Sequence, residues 1–130
     1  MAYITNIKSV EPDGSLNREK GFTGMELRWL LSERNAPVTM CTVGHTHKPK
    51  GGEHRSHHHT HADEIILMLQ GRAIQRIGDE AIELKKGDCV FIPKGVVHSH
   101  KCISDEPVET YCIYVGAGSI EKTGYVLDEK

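Results

Sequence analysis

The sequence has no long apolar run, few aromatic residues and no large excess of either charge. No stretch approaches the roughly 18 consecutive apolar residues of a membrane-spanning helix, so we expect no membrane partner. The 16 basic and 18 acidic side chains give a net charge of −2, which argues against a disordered chain and against one that coats nucleic acid. Aromatic residues are only 5% of the chain, which disfavours a pocket for large aromatic ligands.

The cysteines lack the spacing of a structural zinc site. They form no Cys-x-x-Cys pair, and they are Cys41, Cys89, Cys102 and Cys112. A zinc site made of all four is therefore disfavoured. Residues 1–6 also lack the basic and then apolar layout of a signal peptide. We therefore expect reduced thiols and a cytoplasmic location.

The 130 residues are enough for one domain with its own core. The 13 glycines and the short alternating patterns predict an all-β fold, either a small barrel or a sandwich. Residues 1–20 are predicted to form an N-terminal arm with one edge strand around residues 3–7, and residues 21–130 a single barrel domain. Strands are predicted over residues 25–32, 38–43, 65–69, 72–77, 81–84, 89–92, 98–103 and 109–115, with a polar loop over 44–53. A short helix over 27–31 is the alternative to the first strand, and the polar tail after residue 118 is either an edge strand or frayed.

Histidine is the abundant functional residue: all 9 lie between His45 and His100. In a strand, His57 and His59 point to the same face, which suits two ligands of one metal ion. Glu64 has the opposite parity, so it needs a bend or a neighbouring strand to join them. A fourth donor, His98, begins another strand. Imidazole nitrogens with one carboxylate suit first-row transition metals and leave one or two coordination positions open, as catalytic sites require.

Two stretches resemble the two signature motifs of the cupin family. The first motif, G-x5-H-x-H-x4-E-x6-G, is matched at every fixed position by Gly51, His57, His59, Glu64 and Gly71. The second, G-x5-P-x-G-x2-H-x3-N, is matched by Gly87, Pro93, Gly95 and His98, with Cys102 in place of the usual Asn. The resemblance covers residues 51–102, with motif 1 over 51–71 and motif 2 over 87–102.

The resemblance implies a double-stranded β-helix barrel of the jelly-roll type. It also implies one divalent transition metal ion per chain (Fe, Mn, Ni, Zn or Co), held by His57, His59, Glu64 and His98. By the same analogy we expect a homodimer that pairs through edge strands. The family does not select a reaction, because cupins include dioxygenases, decarboxylases, isomerases, epimerases, lyases and plain binding modules.

Two kinds of function suit such a centre. The first is an enzyme for a small polar substrate, an oxygen-rich acid, ketone or sugar derivative, that the metal binds as a Lewis acid. Proton transfer is then expected from His54, His100 or Tyr111. Non-oxidative isomerase, lyase or decarboxylase chemistry and dioxygenase chemistry are equally compatible with the sequence. The second is a non-catalytic cupin that binds a metal or small ligand, and a metal-free barrel is a third alternative.

Several other residues have both a structural and a functional interpretation. His61 shares the parity of His59, and we expect it in the bend rather than as a competing ligand. Cys102 is expected to be a small buried apolar residue rather than a reactive thiol, and Trp29 to lie in the core. The side chains that alternation could also direct into the pocket are Gln75, Arg28, Arg72 and Tyr111. The histidines expected at the surface or at the barrel mouth are His45, His47, His54 and His58, of which His47 and His54 are the better candidates for contact with a substrate.

Overall fold

The computed structural model describes residues 2–128, which form eleven strands and three short 3₁₀ helices. The strands are β1 (Phe22–Thr23), β2 (Glu26–Leu31), β3 (Cys41–Lys48), β4 (Glu53–His59), β5 (Asp63–Gln70), β6 (Ala73–Ile77), β7 (Glu80–Leu84), β8 (Cys89–Ile92), β9 (His98–Cys102), β10 (Val108–Val115) and β11 (Tyr125–Leu127). The 3₁₀ helices are Ile7–Ser9, Arg18–Lys20 and Glu121–Thr123. None of the helices in this part of the chain is long and apolar enough to cross a membrane.

The strands form where side chains alternate between the interior and the surface. In β5, Glu64, Ile66 and Met68 are buried and the residues between them are partly exposed. Gly71 ends this strand with a φ of 80°, and a Cβ there would lie only 2.9 Å from the Pro107 carbonyl oxygen. Only glycine tolerates both the positive φ and the close approach of this carbonyl, and it allows the chain to turn here into β6.

The strands assemble into two antiparallel sheets that face each other. One has the order β1-β4-β9-β6-β7, with β11 beside β1 along the same edge of β4. The other has the order β2-β3-β10-β5-β8. The two inner faces enclose the apolar core and a cluster of polar side chains. This is the double-stranded β-helix, and the all-β expectation is confirmed.

The apolar core is divided into two clusters. One is centred on Trp29 and Tyr114. The other contains Met68, Val108 and Cys102 and lies toward the opposite end of the barrel from Trp29 along β10. The expected core position of Trp29 and the buried, apolar environment of Cys102 are therefore confirmed.

The polar loop expected over residues 44–53 is largely wrong. Strand β3 continues to Lys48, and β4 already begins at Glu53. The alternation is hard to recognise because interior positions of β3 are small or polar, as at Gly44 and Thr46. A Cβ on Gly44 would lie 2.9 Å from the sulfur of Cys112, so the packed interior leaves room only for glycine there.

The edge strand expected near the start of the arm is also wrong. The 3₁₀ helix Ile7–Ser9 occupies part of that stretch. The arm is instead attached to β2 by separate hydrogen bonds rather than by a ladder. Arg28 Nε donates to the Val10 carbonyl at 3.0 Å, and the amide of Asp13 donates to the Leu27 carbonyl at 2.8 Å. The expected strand around Leu27, in preference to a helix, is confirmed.

Candidate metal centre

Strand β4 directs three histidines inward because a bulge interrupts its alternation. His57 and His59 are two residues apart and face the same side, as strand geometry predicts. His54 is three residues before His57, so regular alternation would turn it outward. Against β9, His54 pairs with His100. His57 pairs with His98, only two residues earlier in β9, so β4 contains one extra residue between the two pairs. The bulge therefore stacks the His54 ring on His57, with the ring centroids 3.5 Å apart.

Glu64 reaches the histidines from the other sheet. The chain bends over residues 60–62 between β4 and β5, and Glu64 then pairs with Ile92 of β8. His61 lies in this bend, is exposed, and is hydrogen-bonded to the Thr60 hydroxyl at 2.6 Å. The predicted bend, and the expectation that His61 occupies it, are confirmed.

The four residues that match the ligand positions of the motifs come together inside the barrel. One ligand atom from each of His57, His59, Glu64 and His98 lies within 4.8 Å of the others. Glu64 Oε1 is 3.0 Å from His98 Nε2 and 3.5 Å from His59 Nε2. All four residues are between 1% and 5% exposed. The group could therefore hold a metal ion.

Backbone carbonyls orient two of the three imidazoles. His57 Nδ1 donates a hydrogen bond to the Arg55 carbonyl at 2.6 Å. His98 Nδ1 donates to the Val96 carbonyl at 2.9 Å. A carbonyl only accepts, so each Nδ1 carries the ring proton. In the neutral ring, Nε2 therefore presents a lone pair to the interior.

A threonine hydroxyl orients the third imidazole. Thr123 Oγ1 donates to the Ile120 carbonyl at 2.7 Å, so its own proton is already engaged. The hydroxyl therefore accepts from His59 Nδ1, at 2.9 Å, and His59 also turns an Nε2 lone pair inward. Sequence reasoning missed Thr123, because it lies in the polar tail and no motif marks it.

This donor set fits a divalent transition metal. The Nε2 atoms of His57 and His59 are buried without a hydrogen-bond partner among the described residues. Three inward lone pairs beside a carboxylate leave buried acceptors unsatisfied unless a cation or proton lies between them. Metal-binding histidines also characteristically donate their other ring N–H to an oxygen atom, as these three do. The residues present thus match the group that the motifs imply.

Burial and hydrogen bonding set the protonation of the site. Burial acts to lower the pKa of His98, but its hydrogen bond to Glu64 outweighs this and raises the pKa above its usual value. Burial acts to raise the pKa of Glu64, yet the adjacent rings of His59 and His98 hold that pKa far below its usual range. Burial also holds the pKa of His57 well below its usual value. An ionised carboxylate and a neutral imidazole are the forms that bind metals.

A small cavity borders this group. Its volume is about 20 Å³, which is room for about one water molecule. It touches His57, Glu64 and His98, so a ligand in it would lie beside the candidate metal position. The other polar residues that line it are Thr46, Lys48, His54, His100, Thr110 and Tyr114, and the apolar ones are Met25, Leu27, Ile66 and Cys112.

Two of the three residues expected to transfer protons line the cavity, and one does not. His54 and His100 both face it. The expectation that Tyr111 faces the interior is wrong, because its neighbours Thr110 and Cys112 occupy the inward positions of β10. Tyr111 lies on the outer face, in a groove beneath the N-terminal arm.

Sequence reasoning missed two residues that do line the cavity. Lys48 lies within the expected polar loop over residues 44–53, but it is the last residue of β3 and faces inward. Tyr114 lies on the opposite parity of β10 from Tyr111, and its buried ring is 4.7 Å from that of His59 between centroids. Both parities of β10 carry a tyrosine and apolar residues, so the pattern alone does not decide which faces inward.

The other pocket candidates lie elsewhere. Gln75 is fully buried, but its amide donates to the Ser99 carbonyl at 2.9 Å outside the cavity. Arg28 faces outward and supports the arm. Arg72 is on the surface, 3.4 Å from a carboxylate oxygen of Glu83.

Three of the four histidines expected at the surface or at the barrel mouth are on the outer side of the sheets, whereas His54 is buried and lines the cavity. His45 and His47 both approach the carboxylate of Glu109, at 3.1 Å and 2.8 Å. His58 lies 2.8 Å from a carboxylate oxygen of Asp128. None of the three lines the cavity next to the four-residue group.

An antiparallel double-stranded β-helix that encloses three histidines and one glutamate defines a class of small barrel proteins with a candidate metal site. Comparison with known proteins agrees with this class. The family model of the cupin domain matches residues 44–114, which is more than half of the chain. The protein therefore belongs to the cupin family.

Two curated relatives illustrate the range of similar sequences. An uncharacterised protein of Methanocaldococcus jannaschii is 33% identical over 64 residues, which cover 49% of this chain and 51% of that protein. The polyketide synthase CurC of Streptomyces cyaneus is 24% identical over 103 residues, which cover 79% of this chain and 62% of that protein. The chain thus spans between half and two thirds of the length of these relatives.

Solved structures share the fold. The polyketide cyclase RemF of Streptomyces resistomycificus superposes with a TM-score of 0.76 at 18% identity, covering 88% of this chain and 80% of that one. A predicted oxalate decarboxylase of Thermotoga maritima superposes with a TM-score of 0.77 at 20% identity, covering 86% of this chain and 97% of that one. At these identities the likeness concerns the fold.

Proposed function

We propose that the protein is a metal-dependent cupin enzyme that acts on a small polar substrate. The observation that carries the proposal is the convergence of three imidazole Nε2 atoms and one carboxylate beside a buried cavity. His57, His59, Glu64 and His98 would hold one divalent ion, drawn from Fe, Mn, Ni, Zn or Co. When bound, such an ion supplies Lewis-acid polarisation of a substrate carbonyl, carboxylate or hydroxyl oxygen.

His54 is the residue best placed to accept a proton. Its Nε2 donates to the Tyr125 hydroxyl at 3.0 Å, and that hydroxyl donates in turn to the Lys20 carbonyl. The Nδ1 atom of His54 therefore carries the lone pair. Its ring is held between Phe22 and His57, with centroid distances of 4.0 Å and 3.5 Å. Burial holds the pKa of His54 well below its usual value, so the ring is neutral at pH 7 and its Nδ1 carries no proton.

The size of the cavity favours a small substrate. Both the relative CurC and the structural neighbour RemF are named for polyketide chemistry, and the Thermotoga neighbour for a predicted action on oxalate. A volume of about 20 Å³ does not admit a polyketide without large movements of buried side chains. The reacting end of a small acid or ketone would enter with a smaller adjustment, such as movement of the flexible Met25 side chain at the wall.

The proposal includes two reaction types, which a turnover screen separates. Protein loaded in turn with Fe, Mn, Ni, Zn or Co is incubated with small keto, hydroxy and dicarboxylic acids, with and without oxygen. Turnover without oxygen supports isomerase, lyase or decarboxylase chemistry, and turnover only with iron and oxygen supports a dioxygenase. The test variant is His54→Gln, which puts a neutral amide in place of the imidazole and so removes the proton acceptor, and we expect it to lower the rate by about 100-fold.

A non-catalytic binding protein is the second candidate, and the small size of the cavity favours it. This function predicts saturable binding of a small acid with no turnover under any metal. Equal binding by the wild type and His54→Gln, with no product formed by either, would contradict the enzyme proposal and support the binding function.

We also propose a homodimer in the cytoplasm. The cysteines are free thiols, which is their state in cytoplasmic proteins. The N-terminal arm carries two exposed apolar residues, Tyr3 and Ile4, which border a groove on the outer face of the sheet that contains β3 and β10. Sedimentation equilibrium tests the dimer, and a monomer at micromolar concentration would contradict it.

A further inference from the structure

Lys48 is a buried cation inside the barrel. It is the last residue of β3, is 3% exposed and lines the cavity that borders the four-residue group. Lysine is almost never fully buried unless its charge is paired. Lys48 nevertheless forms no ion pair with any carboxylate of residues 2–128. A charged group in this position therefore requires an explanation.

The side-chain hydrogen bond that Lys48 forms within residues 2–128 defines the tautomer of His100. Lys48 Nζ lies 2.6 Å from His100 Nδ1. An ammonium group only donates, so His100 Nδ1 accepts and the ring proton is on Nε2. His100 Nε2 is buried and has no hydrogen-bond partner among the described residues. The pair thus has unused N–H donors on both members and no acceptor for them.

Within the described part of the chain, no other side chain that lines the cavity forms a hydrogen bond with Lys48 Nζ or His100 Nε2. The two threonine hydroxyls that line it, Thr46 and Thr110, are hydrogen-bonded to each other. Glu64 is turned toward His59 and His98. Buried donors without acceptors are costly, and a cation without an anion is more so. The chemistry that satisfies both is a small anion with at least two acceptor oxygens.

We propose that Lys48 and His100 form a carboxylate-binding subsite, and that the natural ligand is a small organic acid. This inference deepens the proposed function, since the subsite lies in the same cavity. A carboxylate bound there would offer one oxygen to the ammonium and one to His100. The adjoining group of the acid would then face the candidate metal position. Burial lowers the pKa of Lys48 to about 8, so the ammonium form still predominates at pH 7.

The test measures binding rather than activity. Formate, acetate, glycolate and oxalate are titrated calorimetrically into the metal-loaded protein, with ethylene glycol as the uncharged counterpart of glycolate. We expect at least one acid to bind, and Lys48→Met to weaken its Kd by about 10-fold or more. Ethylene glycol binding and the metal content are expected to be unchanged by Lys48→Met. The matched control is Lys50→Met, which removes an exposed lysine two residues away that pairs with Asp105 at the surface.

Three results would overturn the subsite. They are an unchanged Kd in Lys48→Met, an equal loss in Lys50→Met, and no binding of any of the four acids to the folded wild type. A second variant, His100→Phe, keeps a ring in the core and is expected to weaken the acid by several-fold. The same titration in chelator-treated protein distinguishes this subsite from the metal-dependent function. If the chain takes up no metal but still binds an acid in a way that depends on Lys48, the subsite is supported and the metal-dependent function is refuted.

Discussion

The nitrogen that each site histidine turns inward is decided by a partner outside the site. Carbonyl groups do this for His57 and His98, and the Thr123 hydroxyl does it for His59. Since a rotated or flipped ring would present an N–H instead of a lone pair, these partners are part of the metal-binding capacity of the chain.

Thr123→Val tests this role. Valine keeps the shape of threonine but removes the acceptor for His59 Nδ1, so we expect metal affinity to fall by about 10- to 100-fold. Affinity is measured by competition with a chromophoric chelator. Thr42→Val is the matched control, because Thr42 is equally buried and donates to the Ala117 carbonyl at 2.8 Å, away from the site. Equal affinities in the two variants would contradict the assigned role of Thr123.

We expect Lys48 to lower the stability of the ligand-free protein. Burial lowers its pKa from 10.5 to about 8, so the charged form is less favourable in the folded state than in the unfolded chain at pH 7. Lys48→Met replaces the ammonium with an apolar chain of similar length, and we expect the free energy of unfolding to rise by about 1 to 3 kcal/mol. Urea unfolding without added organic acids measures this, and a loss of stability would contradict it.

At the scale of strands, regular alternation is what the sequence predicts well. The apolar run near Ile66, the hairpin at Gly78 and the short strand before Pro93 lie where expected. The four motif donors were also predicted, because His57 and His59 share a face in any strand and because the resemblance to the cupin motifs adds Glu64 and His98 to them.

Features that break or hide the alternation were not predictable. The bulge in β4 turns His54 inward, and only the pairing with β9 reveals it. The polar interior of β3 concealed Lys48, since buried strands are recognised by apolar residues. In β10, whether Tyr111 or Tyr114 faces inward depends on the register of this strand with β3 and β5. The sequence of β10 alone does not contain that information.

At the scale of the molecule, the two sheets enclose the Glu64 carboxylate, the Lys48 ammonium and the buried histidine rings in one space. Glu64 comes from one sheet, and the histidines that face it come from the other. Neither sheet alone forms the site. The protonation of the buried histidines is therefore coupled to folding of the whole barrel.

The metal-free protein should lose stability in mild acid. Burial holds the pKa values of His54, His57 and His100 well below their usual value. Below about pH 6.5 the unfolded chain binds protons at these positions and the folded chain does not, so stability falls as pH falls. His98 acts in the opposite sense, because its pKa is raised: its contribution is complete below about pH 6.5 and is lost as pH rises through that raised pKa.

Urea unfolding of chelator-treated protein from about pH 8 to about pH 5 checks this. We expect a decrease of about 1 kcal/mol or more per pH unit below about pH 6.5. His61→Ala, which removes an exposed histidine from the bend, is the control and should leave the profile unchanged. Stability that is flat or greater at about pH 5 would contradict the buried, neutral state of the three rings.

The central claim is that His57, His59, Glu64 and His98 bind one metal ion, and elemental analysis tests it most directly. The protein is purified without a nickel column, reconstituted with Fe, Mn, Ni, Zn or Co, and assayed for bound metal alongside His57→Ala and His98→Ala. We predict about one equivalent per chain in the wild type, and loss of metal with a lower Tm in both variants. Less than about a tenth of an equivalent in the wild type, or unchanged metal content in both variants, would contradict the account.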